Sequence, residues 1–193
     1  MLNTAENPKD FSKRQQSYNR LTRTRDIAIL TLLLGTGIRV SECVGINIED
    51  IDFDTNGFKI TRKGGAQTVL YFSEEVAISL QNYLEERLSN EFVSPDEHAL
   101  FLSIQNKRIG VRAVEQLVKK YSQDCIPLKH ITPHKLRSTY GTNLYRETGD
   151  IYIVADVLGH RDVNTTKKHY AAISEDSRRK VANVVKLREN DEN

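Results

Sequence analysis

The hydrophobic pattern changes its period in the middle of the chain, and this change limits the possible folds more than any other feature. Apolar and polar residues alternate at 51–54 and again at 58–62, and a third run at 67–72 is rich in β-forming residues. Turn-forming segments, Thr55-Asn56-Gly57 and the glycine pair at 64–65, separate the three runs. Alternation with a period of two, interrupted by tight turns, predicts a three-stranded antiparallel sheet.

The sequence on both sides of this sheet has the spacing of helices. The apolar run from Ile27 to Leu34 predicts a helix that begins with Thr24 as its N-cap and ends at Gly35 and Gly37. A short helix is expected to follow from about Val40. Further helices are predicted at 74–90, 110–123, 133–148, 151–158, 165–172 and 174–188. The fold class is therefore mostly α with a small three-stranded antiparallel β-sheet.

Composition and charge limit the compartment and the partner. No run approaches the roughly 20 apolar residues of a membrane span, and the N-terminus lacks a signal-peptide core. Cys43 and Cys125 fit no metal or disulfide spacing, which favours a reducing cytoplasm. The net charge of +2 conceals an uneven distribution, because residues 26–106 carry 13 acidic and 5 basic side chains whereas residues 107–140 carry 2 acidic and 8 basic ones. Such sorting suits a basic face that contacts phosphates, although solvated helix faces would also show it.

The domain organisation follows from the same patterns. Residues 1–23 are polar and lack an apolar period, so we interpret them as a linker or N-terminal arm. Residues 24–175 are expected to form one well-buried domain, and residues 174–193 a C-terminal helix and tail.

Two basic residues before and within the sheet are candidates for chemistry. Arg39 lies where two predicted helices meet, and Glu42 three residues later would hold its guanidinium. An arginine beside a helix start binds an anion together with backbone N–H groups, although such a pair alone is more typical of a structural contact. Lys63 at the hairpin tip would extend a mobile ammonium that protonates a leaving oxygen, and Lys59 and Arg62 nearby are its competitors.

The predicted helix at 133–148 begins with a second basic group. His134 and Arg137, three residues apart, would share a face near the positive end of this helix, which Thr132 caps. Leu136 between them would point into the core. A phosphate placed there would meet an imidazole, a guanidinium and the helix N-terminus together.

The last two candidates follow the predicted helix at 151–158. Gly159 would end this helix and leave His160 just beyond it, and Tyr170 follows ten residues later. A lone histidine in that place is more often a cap or a core hydrogen-bonding residue, and Tyr170 is one of 8 tyrosines.

The candidates are ordinary one by one, but the ordered set indicates phosphoryl transfer. Arginines neutralise the non-bridging oxygens of a phosphate in the transition state, and a lysine protonates the departing oxygen. Histidines donate hydrogen bonds or handle the proton of the nucleophile. A tyrosine, with an ordinary pKa of about 10, needs such help to attack as a phenolate.

This ordered set resembles the catalytic domain of the tyrosine recombinase (phage integrase) family over roughly residues 24–175. The segment from Thr36 to Glu42 is similar to the first arginine box of the family, and Ser138 follows Arg137 where histidine is common. Arg62 precedes the hairpin lysine where glycine is commoner. The other matching segments are Lys63-Gly64, the His-x-Leu-Arg of 134–137, Leu158-Gly159-His160 and Tyr170.

The resemblance implies the integrase catalytic-domain fold of DNA breaking–rejoining enzymes and a metal-independent transesterification without any cofactor. It implies double-stranded DNA with a specific core site as the partner, a tetramer on that DNA, and a bacterial or phage-encoded cytoplasmic protein. The segment would be a fragment that lacks a separate N-terminal DNA-binding domain, and its C-terminal helix would dock on a neighbouring protomer or pack in cis. The implied catalytic residues are Arg39, Lys63, His134, Arg137, His160 and Tyr170, with Glu42 and Gly159 in support.

Two other functions remain open from the sequence. A type IB topoisomerase-like enzyme would share the chemistry but relax DNA without choosing a site, and a non-catalytic DNA-binding protein would keep only the fold. A metal-dependent nuclease fits poorly, because the acidic residues cluster at 42–54 and 74–97, away from His134 and His160.

Overall fold

A small antiparallel sheet lies in the middle of the chain, as the alternating pattern predicts. The computed structural model describes residues 1–6, 13–123, 131–160 and 162–164. Its strands are β1 (Ile51–Asp52), β2 (Gly57–Thr61) and β3 (Gln67–Tyr71), paired in the order β1-β2-β3. Phe58 and Ile60 are buried whereas Lys59 between them is exposed, which confirms the predicted period of two.

The helices of the described residues agree with most of the predicted segments. The predicted helices at 133–148 and 151–158 are confirmed at both ends, and the one predicted at 74–90 ends two residues earlier, at Leu88. The fold class, mostly helical with one three-stranded antiparallel sheet, is therefore confirmed. The helices are α1 (Leu2–Glu6), α2 (Lys13–Thr36), α3 (Val40–Gly45), α4 (Glu74–Leu88), α5 (Val111–Gln123), α6 (Pro133–Thr148) and α7 (Ile151–Leu158).

The chain divides into two compact units, residues 1–140 and residues 141–193. In the first unit α2 packs against α4, and the core includes the fully buried side chains of Ile29 and Leu80. Gly35 lets the two helices approach, because a β-carbon there would lie only 2.7 Å from Cγ2 of Val76. This packing fixes the end of α2, from which the candidate site begins.

The start of α2 differs from the prediction. The helix begins at Lys13 rather than at Thr24, and it is preceded by α1, whose Ala5 is fully buried. The predicted helix start at Thr24 is therefore wrong. The role of residues 1–23 as a linker to another domain stays a prediction.

The reason for this error is a helix face that is buried but polar. Asn19 and Thr22 are 4% and 1% exposed, and Asp26 on the same face is 2% exposed. Tyr121 on α5 donates a hydrogen bond of 2.7 Å to Asn19 Oδ1 or 3.0 Å to Asp26 Oδ2, and Thr22 donates one of 3.0 Å to the same Asp26 oxygen. A face that buries polar groups in this way shows no hydrophobic period, so the sequence pattern does not reveal it.

The described part of the second unit centres on α7. Asp150 caps this helix, because its Oδ1 accepts hydrogen bonds from the backbone N–H groups of Tyr152 at 2.7 Å and Ile153 at 3.2 Å. Val154 and Leu158 are buried on one side of the helix. The helices predicted at 165–172 and 174–188 lie outside the described residues.

Within the described residues, no helix combines the length and the apolar character that spanning a bilayer requires.

Candidate active site

Arg39 stands at the N-terminus of α3 and is held there by Glu42. Its backbone is extended, with φ −72° and ψ 148°, so the chain turns into the helix directly after it. Arg39 donates a backbone hydrogen bond of 2.7 Å to Glu42 Oε2, and its Nη1 donates one of 2.7 Å to Glu42 Oε1. The contact expected between these two residues is therefore present. The Glu42 side chain is 3% exposed whereas that of Arg39 is 36% exposed. The Arg39 side chain is therefore held by a buried carboxylate and is also accessible to solvent.

A second arginine reaches the same carboxylate from the sheet. Arg62 follows β2, and its Nη1 lies 3.4 Å from Glu42 Oε1. Its side chain is only 10% exposed, which continues the inward alternation of Phe58 and Ile60. We call Arg39, Glu42 and Arg62 the Glu42 cluster. The sequence pattern identified Arg62 only as a competitor of Lys63; its inward position in the alternating strand was the available signal for its contact with Glu42.

Lys63 lies on the tip of the hairpin between β2 and β3 and is exposed. The hairpin closes through a 2.7 Å hydrogen bond from Arg62 N to Ala66 O and one of 3.0 Å from Gly65 N to Arg62 O. Gly64 and Gly65 have φ values of +98° and +86°, which only glycine adopts readily. The competitor Lys59 points away from the core and forms an ion pair of 3.2 Å with Asp50.

Arg137 on α6 is directed at the junction between α2 and α3. It is 6% exposed, and its Nη1 donates a 2.6 Å hydrogen bond to the carbonyl of Gly37, two residues before Arg39. Gly37 has a φ of +62°, and a β-carbon there would overlap the ring of Tyr140, so glycine is required twice over. This contact brings Arg137 beside the Arg39 segment although the two are far apart in sequence. Sequence reasoning missed both Gly37 as an acceptor and Tyr140 as its neighbour.

The start of α6 has the predicted capping, but its two basic site residues differ in burial. Thr132 Oγ1 accepts a hydrogen bond of 3.3 Å from Lys135 N, and Pro133 occupies the first helical position. Leu136 is 6% exposed and belongs to the core, as predicted. His134 is exposed, whereas Arg137 is buried. The imidazole therefore meets solvent at the helix end while the guanidinium lies beneath it in the fold.

Gly159 and His160 follow α7 in the second unit. Gly159 is left-handed, with φ 59° and ψ 48°, and donates a hydrogen bond of 2.8 Å to Asp156 O. His160 N donates one of 2.8 Å to Ala155 O, so the two bonds form the Schellman ending that the glycine predicts. The imidazole of His160 is half-buried. Tyr170, the predicted nucleophile, lies outside the described residues.

A buried thiol and a half-buried phenol near the site stay protonated at neutral pH. Burial raises the pKa of the Cys43 thiol, next to Glu42 on α3, to about 12. Burial also raises the pKa of Tyr140 above its ordinary value. Cys43 therefore fills the core as a neutral thiol and is a poor nucleophile. Among the described residues, no three His, Cys, Asp or Glu side chains lie together in a group that could hold a metal ion.

A family comparison agrees with this geometry. The model of the phage integrase family matches residues 9–177 of the chain. The chain belongs to the phage integrase family. The match covers Arg39, Lys63, Arg137 and the other predicted site residues, and it extends past Tyr170.

Curated relatives from this family are tyrosine recombinases. XerS of Lactococcus lactis subsp. cremoris (strain MG1363) is 33% identical over 177 residues, which are 90% of this chain and 49% of XerS. XerC of Corynebacterium glutamicum is 35% identical over 158 residues, which are 82% of this chain and 50% of XerC. The chain thus spans about half the length of the curated relatives it matches.

Solved structures show the same integrase-family fold. The crystal structure of XerA recombinase has a TM-score of 0.73 at 28% identity and covers 90% of this chain and 65% of that chain. The post-cleavage complex of XerH bound to a palindromic difH substrate has a TM-score of 0.74 at 19% identity and covers 94% of this chain and 50% of that chain. At the latter identity the likeness concerns the fold alone.

Proposed function

We propose that this chain is the catalytic domain, predicted at residues 24–175, of a site-specific DNA recombinase that cuts and rejoins strands through a 3′-phosphotyrosyl intermediate. The observation that carries the proposal is the hydrogen bond from Arg137 to the Gly37 carbonyl, because it gathers two arginines at one junction. Two arginines at one junction suit the two non-bridging oxygens of a phosphodiester. The family membership and the tyrosine recombinases among its relatives support the same chemistry.

The proposed step is an exchange of one phosphate ester for another. A bond forms between Tyr170 Oη and phosphorus as the bond from phosphorus to the 5′ oxygen breaks. The phenol proton passes to His134 or water, and Lys63 donates a proton to the departing 5′ oxygen. Arg39, Arg137 and His160 stabilise the extra negative charge of the transition state. The phosphotyrosine ester keeps the energy of the broken phosphodiester. The 5′-hydroxyl of a second strand can therefore attack it and reseal the DNA by the reverse step.

The choice of Lys63 over Lys59 is supported by their surroundings. Lys59 is engaged with Asp50 on the outer face of β2, so its ammonium is directed away from the Glu42 cluster. Lys63 sits one residue after Arg62, which is itself in contact with Glu42. The lysine of the hairpin tip is therefore the proposed general acid.

Double-stranded DNA with a specific core site is the proposed partner, on which the protein acts as a tetramer. The integrase of transposon Tn1549 and the XerH recombinase have been solved in complexes with DNA, and their fold is shared by this chain. The basic residues at 107–140 supply positive charge for phosphates. A bacterial or phage-encoded protein that acts in the cytoplasm fits this proposal.

The experiment starts by finding the core site. Lightly nicked genomic DNA of the source organism is incubated with the full-length protein, and the DNA that stays bound after denaturation is sequenced. A nicked suicide duplex with that site then measures covalent adduct formation, since the short strand beyond the cut diffuses away. The wild type is expected to form an adduct on Tyr170, and Tyr170→Phe none. Tyr152→Phe is the matched control, because Tyr152 is a 65% exposed tyrosine upstream of the predicted nucleophile.

Each other outcome would point to a different function. DNA binding without any adduct in the wild type would indicate a non-catalytic DNA-binding protein. Adduct formation by Tyr170→Phe would mean that another residue is the nucleophile. Relaxation of supercoiled plasmids that lack the core site would favour a topoisomerase-like enzyme. Light scattering of the protein–DNA complex tests the tetramer, and a mass corresponding to a different number of chains would reject it.

A further inference from the structure

We infer that Arg62 is a positioning residue that holds the lysine hairpin against the Arg39 segment through Glu42. The inference deepens the proposed function and rests on Lys63 as its general acid. Arg62 Nη1 and Arg39 Nη1 approach the same atom, Glu42 Oε1, at 3.4 Å and 2.7 Å. One carboxylate of α3 therefore joins the hairpin residue Arg62 to Arg39, the residue directly before α3.

The place of Arg62 in the hairpin makes this contact effective. It is the residue directly before Lys63, and its backbone closes the turn through Ala66 and Gly65. The remaining tip residues, Gly64 and Gly65, have no side chain with which to anchor the turn. Lys63 itself is exposed and carries a long side chain with several rotatable bonds. Fixing the residue next to it restricts the region that the ammonium can reach.

Burial of the shared carboxylate strengthens the argument. The Glu42 side chain is 3% exposed and that of Arg62 is 10% exposed, so water competes little for their contact. Removing one partner of such a buried pair leaves a charge with less compensation. Arg62 is thus held in place by Glu42, whereas the Lys59–Asp50 pair on the opposite face of β2 has a 48% exposed lysine.

This arrangement predicts a specific defect when Arg62 is replaced. Arg39 keeps its own two hydrogen bonds to Glu42, so the phosphate is still bound and polarised. Lys63 loses its fixed approach, so protonation of the leaving 5′ oxygen slows. The defect should therefore disappear when the leaving group needs no proton.

The test compares two suicide duplexes that differ in one atom. Both carry the mapped core site, and one has sulfur in place of the bridging 5′ oxygen at the scissile phosphate. A thiol, with a pKa of about 8.5, leaves without a general acid, whereas an alkoxide does not. Single-turnover adduct formation is measured for the wild type, Arg62→Gln, Arg62→Lys, Lys63→Ala and Lys59→Gln.

The expected pattern separates positioning from folding. Arg62→Gln should form the adduct about 10- to 100-fold more slowly on the oxygen substrate and within about threefold of the wild type on the sulfur substrate. Arg62→Lys keeps the charge but not the planar guanidinium, so its rate on the oxygen substrate should lie between those of the wild type and Arg62→Gln. Lys63→Ala should show a larger loss on oxygen and recovery on sulfur, and Lys59→Gln should match the wild type on both. Because each variant is scored by its own ratio of sulfur to oxygen rates, partial unfolding does not imitate the result.

Two failures have different meanings. If sulfur restores Lys63→Ala but not Arg62→Gln, or if Arg62→Gln is as fast as the wild type on oxygen, the inference about Arg62 is overturned while the general acid stands. If sulfur fails to restore Lys63→Ala, the proposed role of Lys63 is wrong, and the positioning inference is rejected with it. If Arg62→Gln does not fold, the ratio for Arg62→Lys decides, and a wild-type ratio there overturns the inference.

Discussion

Two groups of buried charges in the first unit use arginine in opposite ways. We call Asn19, Arg25, Asp26 and Tyr121 the α2–α5 network. Arg25 is 9% exposed, and its guanidinium donates to Asp26 Oδ1 at 2.6 Å and to the Leu102 carbonyl at 2.8 Å. In the Glu42 cluster, by contrast, the Arg39 side chain is 36% exposed. The first arginine is bound to acceptors of the protein, and the second also faces the solvent.

This difference teaches what a buried charge can and cannot indicate. Both groups contain a carboxylate that is almost fully buried, with side-chain exposures of 3% for Asp26 and 3% for Glu42. Burial of the acid therefore does not separate a structural network from a binding site. What separates them is the exposure of the arginine, because solvent reaches the Arg39 side chain whereas Arg25 is 9% exposed and is bonded to acceptors of the protein.

The largest effect that would test this comparison is the loss of Arg39. Arg39→Ala should slow adduct formation by about 10²- to 10³-fold, since a transition-state contact is lost. Stability should fall by about 1 kcal/mol or less, because the pair with Glu42 is partly exposed and Glu42 keeps Arg62. Single-turnover cleavage and urea unfolding measure the two quantities. Arg23→Ala, at an exposed position on α2, controls for the loss of one positive charge.

A variant that lost several kcal/mol of stability would place Arg39 with the structural arginines. A cleavage rate within threefold of the wild type would remove it from the proposed site. Either result would erase the distinction between the two groups.

The α2–α5 network should give the reverse result with a smaller effect. Tyr121→Phe removes a buried hydroxyl that donates a hydrogen bond to Asn19 Oδ1 at 2.7 Å or to Asp26 Oδ2 at 3.0 Å, which should cost about 1–3 kcal/mol of unfolding free energy. The cleavage rate of the folded protein should not change. Urea unfolding with Tyr71→Phe as the control checks this, because Tyr71 is 67% exposed. A loss of cleavage without a loss of stability would contradict the structural role.

The smallest effect concerns the pH dependence of stability in the same network. Burial, together with the charge of Asp26, raises the pKa of Tyr121 above its ordinary value. The unfolded chain releases this proton at a pH of about 10, while the folded chain retains it. The contribution of the protonated Tyr121 hydroxyl to the free energy of unfolding is therefore complete below pH 10. It declines as the pH rises, by about 1 kcal/mol at pH 11.

Urea unfolding between pH 8 and pH 11 measures this decline, and Tyr121→Phe should show a shallower one. Equal declines in the variant and the wild type would mean that the Tyr121 hydroxyl titrates as it does in the unfolded chain. The network would then be open to solvent, like the Glu42 cluster.

Much of the fold follows from local rules and was predictable. The helix at 133–148 has its cap at Thr132, and the helix at 151–158 ends at Gly159, because these residue types satisfy terminal backbone groups through local contacts. The start of α2 was not predictable, since the partner of its polar face lies about a hundred residues away, on α5. The hydrophobic period of a sequence reveals a helix face that is buried against apolar side chains. It does not reveal a face that is buried against polar groups.

In the candidate site, too, some features follow from local sequence and others only from tertiary packing. The sequence by itself determined the order of Arg39, Lys63, Arg137, His160 and Tyr170. It also determined the local setting of the first four, because helix ends and turns are set by neighbours in the chain. Only the tertiary structure decided that Arg137 bonds the Gly37 carbonyl and that Arg62 shares a carboxylate with Arg39. Such contacts join residues that are far apart in sequence, and they form only where packing brings a buried donor to an acceptor that must be satisfied.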